Sequence, residues 1–254
     1  MAREMRKQIE LDATPEQVWE AIATGPGIAT WFVPSAVEPR VDGVVSQEFG
    51  GQLNAIGSVT AYEPGRRFAY GAPADTEGRP QYAFEFLVEG RAGGSTVLTF
   101  VQSGFLDGAD WDNEYDSFDR GWDLFFGNLR AALTHFAGLP AGGVVTMAYV
   151  EGSAADAWPA LLRGLGLPAM PALGDEITFA PDGAEPISGV VDVATPEFLG
   201  IRSAHGLHRI GAEGDAGCGV SAYHYFYGEP IDRDAVTKAW QGWLNGLFPQ
   251  PVPS

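Results

Sequence analysis

The sequence predicts an α+β protein of two tandem domains, each a curved antiparallel sheet wrapped around a long C-terminal helix. Three observations predict it. The 254 residues suffice for two domains of about 125. An aromatic helical face in the first half returns in the second at a constant offset of 118, so that Trp240 answers Trp122 and Trp243 answers Phe125. Short strand-like runs separated by glycine turns fill the interval before each of these helices.

The first half opens on a strand over 5–12. Thr14-Pro15-Glu16-Gln17 then marks a helix start, with a capping hydroxyl, proline at the first helical position and Gln three residues after the cap. Val18, Trp19 and Ile22 give that short helix its apolar face. Strand-like runs follow at 44–49, 56–63, 67–71, 81–89 and 96–103. They are punctuated by Asp42-Gly43, Gly50-Gly51, Pro64-Gly65, Gly78 and Gly93-Gly94. Along 82–89 the alternation is strict: Tyr82, Phe84, Phe86 and Val88 share one face, while Glu85 and Glu89 share the other, which must meet water. Leu98, Phe100 and Gln102 line the inward face of the next strand. The long helix covers about 116–136, and Phe118, Trp122, Phe125, Phe126, Leu129, Leu133 and Phe136 fall within one arc of about 100°.

Gly138-Leu139-Pro140-Ala141-Gly142-Gly143 reads as a linker over 138–143, between domains at 1–137 and 144–254. The second half repeats the plan with strands at 144–151, 175–179, 187–194, 198–204 and 218–227. Pro181-Asp182-Gly183 and the glycines from Gly211 to Gly217 read as turns. Ser153 caps a helix carrying Ala157, Trp158 and Leu161, and Pro159 predicts that this helix is kinked or starts late. Val236, Trp240, Trp243, Leu244 and Leu247 mark the closing helix.

Composition removes several function classes. Apolar residues make up 45% and charged residues 19%, so burial can offset chain entropy and global disorder is excluded. A net charge of -18 repels phosphate backbones and anionic lipid, which argues against nucleic acid and membrane surfaces as partners. The single cysteine, Cys218, permits neither an intrachain disulfide nor a thiolate zinc cluster, and no base stands beside it to make it reactive. There is no apolar run of membrane-spanning length, and Gln8, Glu10 and Asp12 interrupt what a signal peptide would need as its apolar core. The expectation is a soluble, cytoplasmic protein.

No acid–base or nucleophile constellation stands out, and no Gly-x-Ser-x-Gly elbow or phosphate-binding glycine loop is present. No cofactor is expected. Asp107, Asp110, Asp112, Glu114, Asp116 and Asp119 alternate suggestively, but the stretch lacks the glycine and glutamate of a calcium loop. These acids read as a solvated loop and a favourable negative helix start. His135, His205, His208 and His224 lack a third ligand at a recognisable spacing and read as surface or satisfied core residues; no metal is expected. Asn128 falls off the helix's apolar arc and is expected in solvent.

Thr30-Trp31-Phe32, the Gly43 turn, Gly57-Ser58-Val59 before Glu63-Pro64, the strand ending Gln102-Ser103-Gly104-Phe105, and Gly121-Trp122 followed by Phe125, Phe126 and Leu129 carry a resemblance. Over 1–137 they resemble the START/Bet v 1-like (SRPBCC) superfamily, and within it the bacterial branch named after the activator of the heat-shock protein 90 ATPase. The resemblance implies a helix-grip fold with a cavity between sheet and helix. It also implies binding of hydrophobic molecules, cyclase or hydrolase activity in some members, and a co-chaperone role in the eukaryotic namesake. Over 144–248 it rests on the internal repeat.

The expected function is therefore non-catalytic binding of a small hydrophobic or aromatic molecule in the first domain. The candidate lining is Trp31, Phe32, Phe49, Phe84, Phe86, Phe100, Gln102, Trp122, Phe125, Phe126 and Leu129. Each aromatic among them also fits plain core packing, and the Gln102 amide requires a partner, whether ligand, water or backbone. The alternative is a protein–protein module with a chaperone as partner, and an enzyme acting on a polyketide-like substrate ranks third.

Overall fold

The computed structural model describes residues 3–49, 52–72, 82–105 and 109–249, and along the long helix it describes side chains from Tyr115 onward. The turns at Gly50-Gly51 and Gly78, and the side chains of Asp107, Asp110, Asp112 and Glu114, lie outside the described residues. The chain divides into two compact units, the first formed by residues to Glu48 and Gln52–Pro140 and the second by Ala141 onward.

The first unit runs β1 (Arg3–Leu11), α1 (Pro15–Ala23), α2 (Gly25–Ile28), β2 (Ser35–Val37), β3 (Val44–Glu48), β4 (Leu53–Glu63), β5 (Arg67–Gly71), β6 (Ala83–Gly90), β7 (Thr96–Phe105) and α3 (Ala109–His135). Its seven strands form one antiparallel sheet in the order β1-β7-β6-β5-β4-β3-β2. The cap at Thr14 forms as its residues predict: the Thr14 hydroxyl accepts from the Gln17 backbone N–H at 3.3 Å, and Gln17 Oε1 accepts from the Thr14 backbone N–H at 2.9 Å. Two orphan donors are thereby satisfied, and α1 is free to bury Val18 and Ile22. On β6, Phe86 and Val88 are buried while Glu85 accepts from Arg67 Nε at 2.6 Å on the other face. Lys7 on β1 reaches Asp119 (2.8 Å) and Asp123 (2.6 Å), one turn apart on α3, and so fixes the helix across the sheet.

The second unit runs β8 (Ala141–Val150), α4 (Ala154–Gly164), β9 (Glu176–Phe179), β10 (Ile187–Ala194), β11 (Phe198–Arg202), β12 (Gly206–Glu213), β13 (Cys218–Tyr227) and α5 (Arg233–Leu247). The order β8-β13-β12-β11-β10-β9 is that of the first sheet less its last strand. Its core gathers Trp158, Leu161, Phe179, Leu199, Ile201, Ile210, Val220, Trp240, Trp243 and Leu244 between sheet and helices. Both units are thus α+β grips of an antiparallel sheet and a long closing helix.

Four features depart from the sequence expectation. β2 is a three-residue edge strand, too short to show a period. β12 was hidden because its glycines read as turns. Gly211 instead lies beneath the Phe198 ring, where a Cβ would come within 2.8 Å of a ring carbon and 2.7 Å of the Ser221 hydroxyl. Ala141, Gly142 and Gly143, expected in the linker, pair with Tyr227, Phe226 and Tyr225 as the start of β8. Pro159 sits inside α4, which begins on schedule behind a Ser153–Asp156 capping box. Among the described residues no helix is long and apolar enough to cross a membrane.

Two glycine substitutions test this packing in opposite directions. A Cβ at Gly27 would lie 1.9 Å from the Glu20 carbonyl oxygen, whereas one at Gly127, inside α3, meets nothing within 4 Å. Gly27→Ala is expected to cost about 3 kcal/mol, and Gly127→Ala to stabilise by about 1 kcal/mol. Urea unfolding followed by the Trp31 and Trp122 indole resonances checks both.

Candidate functional site

The helix-facing side of the first sheet carries a register row that runs Met5–Gln102–Phe84–Tyr70 across β1, β7, β6 and β5. The adjacent row places Phe100 beside Phe86. α3 lays Trp122 over these rows, with its ring 4.3 Å from Phe100 and 6.1 Å from Phe84 between centroids. Phe126, one turn on, stacks with Trp122 at 5.4 Å. The loop after α2 brings in the remaining rings. Phe32 stacks on Trp122 at 5.3 Å and meets Phe125 edge-on at 4.5 Å, while Trp31 stacks on Phe126 at 5.9 Å. Trp31 is held by its indole N–H, which donates to the Ala21 carbonyl at 2.9 Å. The offset and edge-on geometries are those that aromatic quadrupoles favour.

Ten of the eleven candidate residues belong to this unit's interior or its margin. Trp31, Phe32, Phe86, Phe100, Gln102, Trp122, Phe126 and Leu129 are buried, and Phe84 and Phe125 are half-buried. Phe49 stands apart just beyond β3, 47% exposed. Tyr82 and Phe118, also half-buried, extend the margin, their rings 5.0 Å apart.

Three polar residues sit among these rings. Gln102 is fully buried, and its Oε1 accepts from Trp122 Nε1 at 2.6 Å. An indole N–H can only donate, so the atom facing it is the oxygen and the amide orientation is fixed. Nε2 is therefore a buried donor, and it has no partner among the described residues. Gln47 Nε2 donates to the Tyr70 hydroxyl at 3.3 Å, and burial pushes the Tyr70 phenol far above its ordinary range. Neither Gln47 nor Tyr70 was picked from sequence, although Tyr70 lies on a strand read correctly and its alternation places it inward. Asn128 overturns its expectation. It is buried rather than solvated, and its Nδ2 donates to the Trp31 carbonyl at 3.4 Å. With Leu124 and Ala132 it forms a second buried stripe on α3 at four-residue spacing, which widens the arc beyond the aromatic face.

The second sheet has its own polar cluster on the corresponding row, Val144–His224–His208–Ile201. His208 Nδ1 and His224 Nδ1 are 3.1 Å apart, and His208 Nε2 is 3.1 Å from the Ser203 hydroxyl. His208 and His224 are buried, so burial disfavours their charged forms: it drives His208 down to about 3, with the neighbouring Arg209 guanidinium adding to the effect, and holds His224 well below the ordinary imidazole value. Burial that disfavours the imidazolium makes His208 a poor general base toward the Ser203 hydroxyl. Arg209 is itself buried, forming a forked pair with Asp192 at 2.8 and 2.9 Å. Among the described residues no three His, Cys, Asp or Glu side chains gather as metal ligands.

A family model described as "Activator of Hsp90 ATPase homolog 1-like protein" matches residues 12–134. No curated protein matches the chain. Among solved structures the chain is similar to protein MLL2253 from Mesorhizobium loti, at 24% identity over 52% of this chain and 97% of that one, with a TM-score of 0.45. It is similar also to CalU16 from Micromonospora echinospora, at 21% identity over 52% and 74% of the two chains, TM-score 0.40. DynU16, from the dynemicin biosynthetic locus, aligns over 96% of this chain and 98% of its own, at 17% identity and a TM-score of 0.43.

The buried imidazoles set a pH dependence. An unfolded chain takes up protons at both histidines below about pH 6.5, while the folded second unit refuses them down to about pH 3 at His208. Folding stability is therefore complete above pH 6.5 and falls as the pH drops toward 3, by up to about 1.4 kcal/mol per pH unit for each histidine. Urea midpoints at pH 7, 6 and 5, read from the Trp240 and Trp243 indoles, should fall together. A midpoint unchanged between pH 7 and 5 contradicts the assignment.

Proposed function

Since its N-terminal domain belongs to the family of activator of Hsp90 ATPase homolog 1-like proteins, we propose that the protein binds a small hydrophobic or aromatic molecule between α3 and the first sheet. The observation that carries this reading is Gln102. An amide buried under an indole, with its oxygen satisfied and its N–H unpaired, costs about 1–3 kcal/mol unless something accepts from it. A ligand carbonyl or hydroxyl lying against Trp122 supplies that acceptor. The half-buried Tyr82, Phe84, Phe118 and Phe125 offer an aromatic approach to it. The polar groups here are amides and a phenol whose proton is firmly held, which orient a guest rather than exchange protons with it. These groups support a reading of binding without turnover.

The family description favours a second reading, in which the same domain regulates a chaperone ATPase. The two separate cleanly, since one places its contacts inside the grip and the other on its surface.

An apolar ketone probe such as acetonaphthone is expected to bind the full chain with one site in the first unit, shifting the Trp122 indole resonance. Gln102→Leu, similar in volume, removes the donor and should weaken binding about tenfold; it also leaves the Trp122 N–H unpaired, so its urea midpoint is measured beside its affinity. Equal affinity in wild type and variant, or no response of Trp122, rejects the reading. Stimulation of a bacterial Hsp90 ATPase by both wild type and Gln102→Leu supports the second reading instead.

A further inference from the structure

Two unsatisfied groups lie at the inner end of the second sheet's polar row, one within it and one diagonally beside it. His224 Nε2 and Thr146 Oγ1 are both fully buried, and neither has a hydrogen-bond partner among the described residues. The register brings them together. Val144 faces His224 and Thr146 faces Ala222 across β8 and β13, so Thr146 and His224 are diagonal neighbours on the helix-facing side, about 7 Å apart in a regular sheet. Trp240 of α5 lies over His224, with ring centroids 4.0 Å apart. Gln102 beneath Trp122 holds the matching place in the first unit. Two independent side chains thus leave hydrogen-bonding capacity unfilled at one buried spot.

We infer that the second unit holds a binding site of its own beneath Trp240, for a compact neutral molecule bearing a hydroxyl group, anchored by His224 and Thr146. The chemistry of the row selects that class. Ser203, His208 and His224 form a chain with two self-consistent proton arrangements. In one, the Ser203 hydroxyl donates to His208 Nε2 and His208 Nδ1–H donates to His224, leaving an N–H at His224 Nε2. In the other, Ser203 donates to the Gly206 carbonyl, both imidazole bonds reverse, and His224 Nε2 presents a lone pair. The terminal nitrogen can therefore donate or accept with no change of net charge. The Thr146 hydroxyl has the same versatility, and a ligand hydroxyl can satisfy both groups at once. Among the described residues a charged group finds no counter-ion here, because Arg209 projects from the opposite face of the sheet into its pair with Asp192. Ser203, at the outer end of the chain, lines an open pocket of about 610 Å³ together with Thr178, Ser188 and Arg202, so the proton arrangement is coupled to the surface.

The test uses the full chain with 15N-labelled histidine and 1-naphthol as the probe. Saturation should move the His224 Nε2 resonance. Thr146→Val, which keeps the shape, and His224→Leu should each weaken that response about fivefold to tenfold while leaving the Trp122 response unchanged. Gln102→Leu should do the reverse, so failure of the first-unit site and failure of this one are told apart. A His224 resonance unmoved at saturating probe overturns the inference, as does an unaltered affinity in Thr146→Val. A water molecule held too tightly for the probe to displace gives the first of these results.

Discussion

The seating of α3 on the first sheet turns on one short contact, the Trp122 indole N–H on Gln102 at 2.6 Å. A helix closing over a concave sheet is held mostly by apolar burial, which is strong but not directional. The hydrogen bond adds direction. It sets the rotation of α3, and that rotation decides which rings meet Phe84, Phe100 and the Trp31-Phe32 loop. Asn128 performs a similar task one turn and a half along, tying the same loop to the helix. Lys7 does so from the other side through Asp119 and Asp123. The aromatic cluster is thus positioned by three polar contacts rather than by hydrophobicity alone.

Patterns confined to one segment were legible. The Thr14 and Ser153 caps, the alternation along β6 and the aromatic arc of α3 each depend on residues a few positions apart, and all appear in the structure. What eluded sequence reasoning depends on partners far away in the chain. Gly211 belongs to a strand only because Phe198 needs the space above it, and alone it reads as a turn. Asn128 is buried because the Trp31 carbonyl lies 97 residues upstream to receive it. The candidate site divides in the same way. Trp122, Phe126 and Phe100 could be chosen from periodicity, whereas the Gln47–Tyr70 pair and the His208–His224 contact arise only when strands come into register.

The two units share a strand order and an indole over the corresponding row, yet the buried polar groups differ in kind. In the first, a glutamine offers one fixed donor, because the indole it accepts from dictates which way the amide faces. In the second, the indole of Trp240 makes a ring contact with His224 rather than a hydrogen bond, and the imidazole's polarity is decided further down the row, at Ser203. The same architecture therefore presents a fixed hydrogen-bond donor in one copy and a group that can donate or accept in the other.

Stability alone does not account for either arrangement. Gln102 Nε2 and His224 Nε2 are each buried without a partner among the described residues, at about 1–3 kcal/mol per group, although leucine at either position would in turn orphan Trp122 Nε1 or His208 Nδ1. Against a typical net stability of about 5–15 kcal/mol that is a large sacrifice. Gln102 and His224 stand at corresponding register positions under corresponding tryptophans, so the same sacrifice occurs twice in one chain. The proposed binding at each position accounts for a cost carried at matched places in two separate cores, because a ligand group that completes the buried donor or acceptor removes that cost.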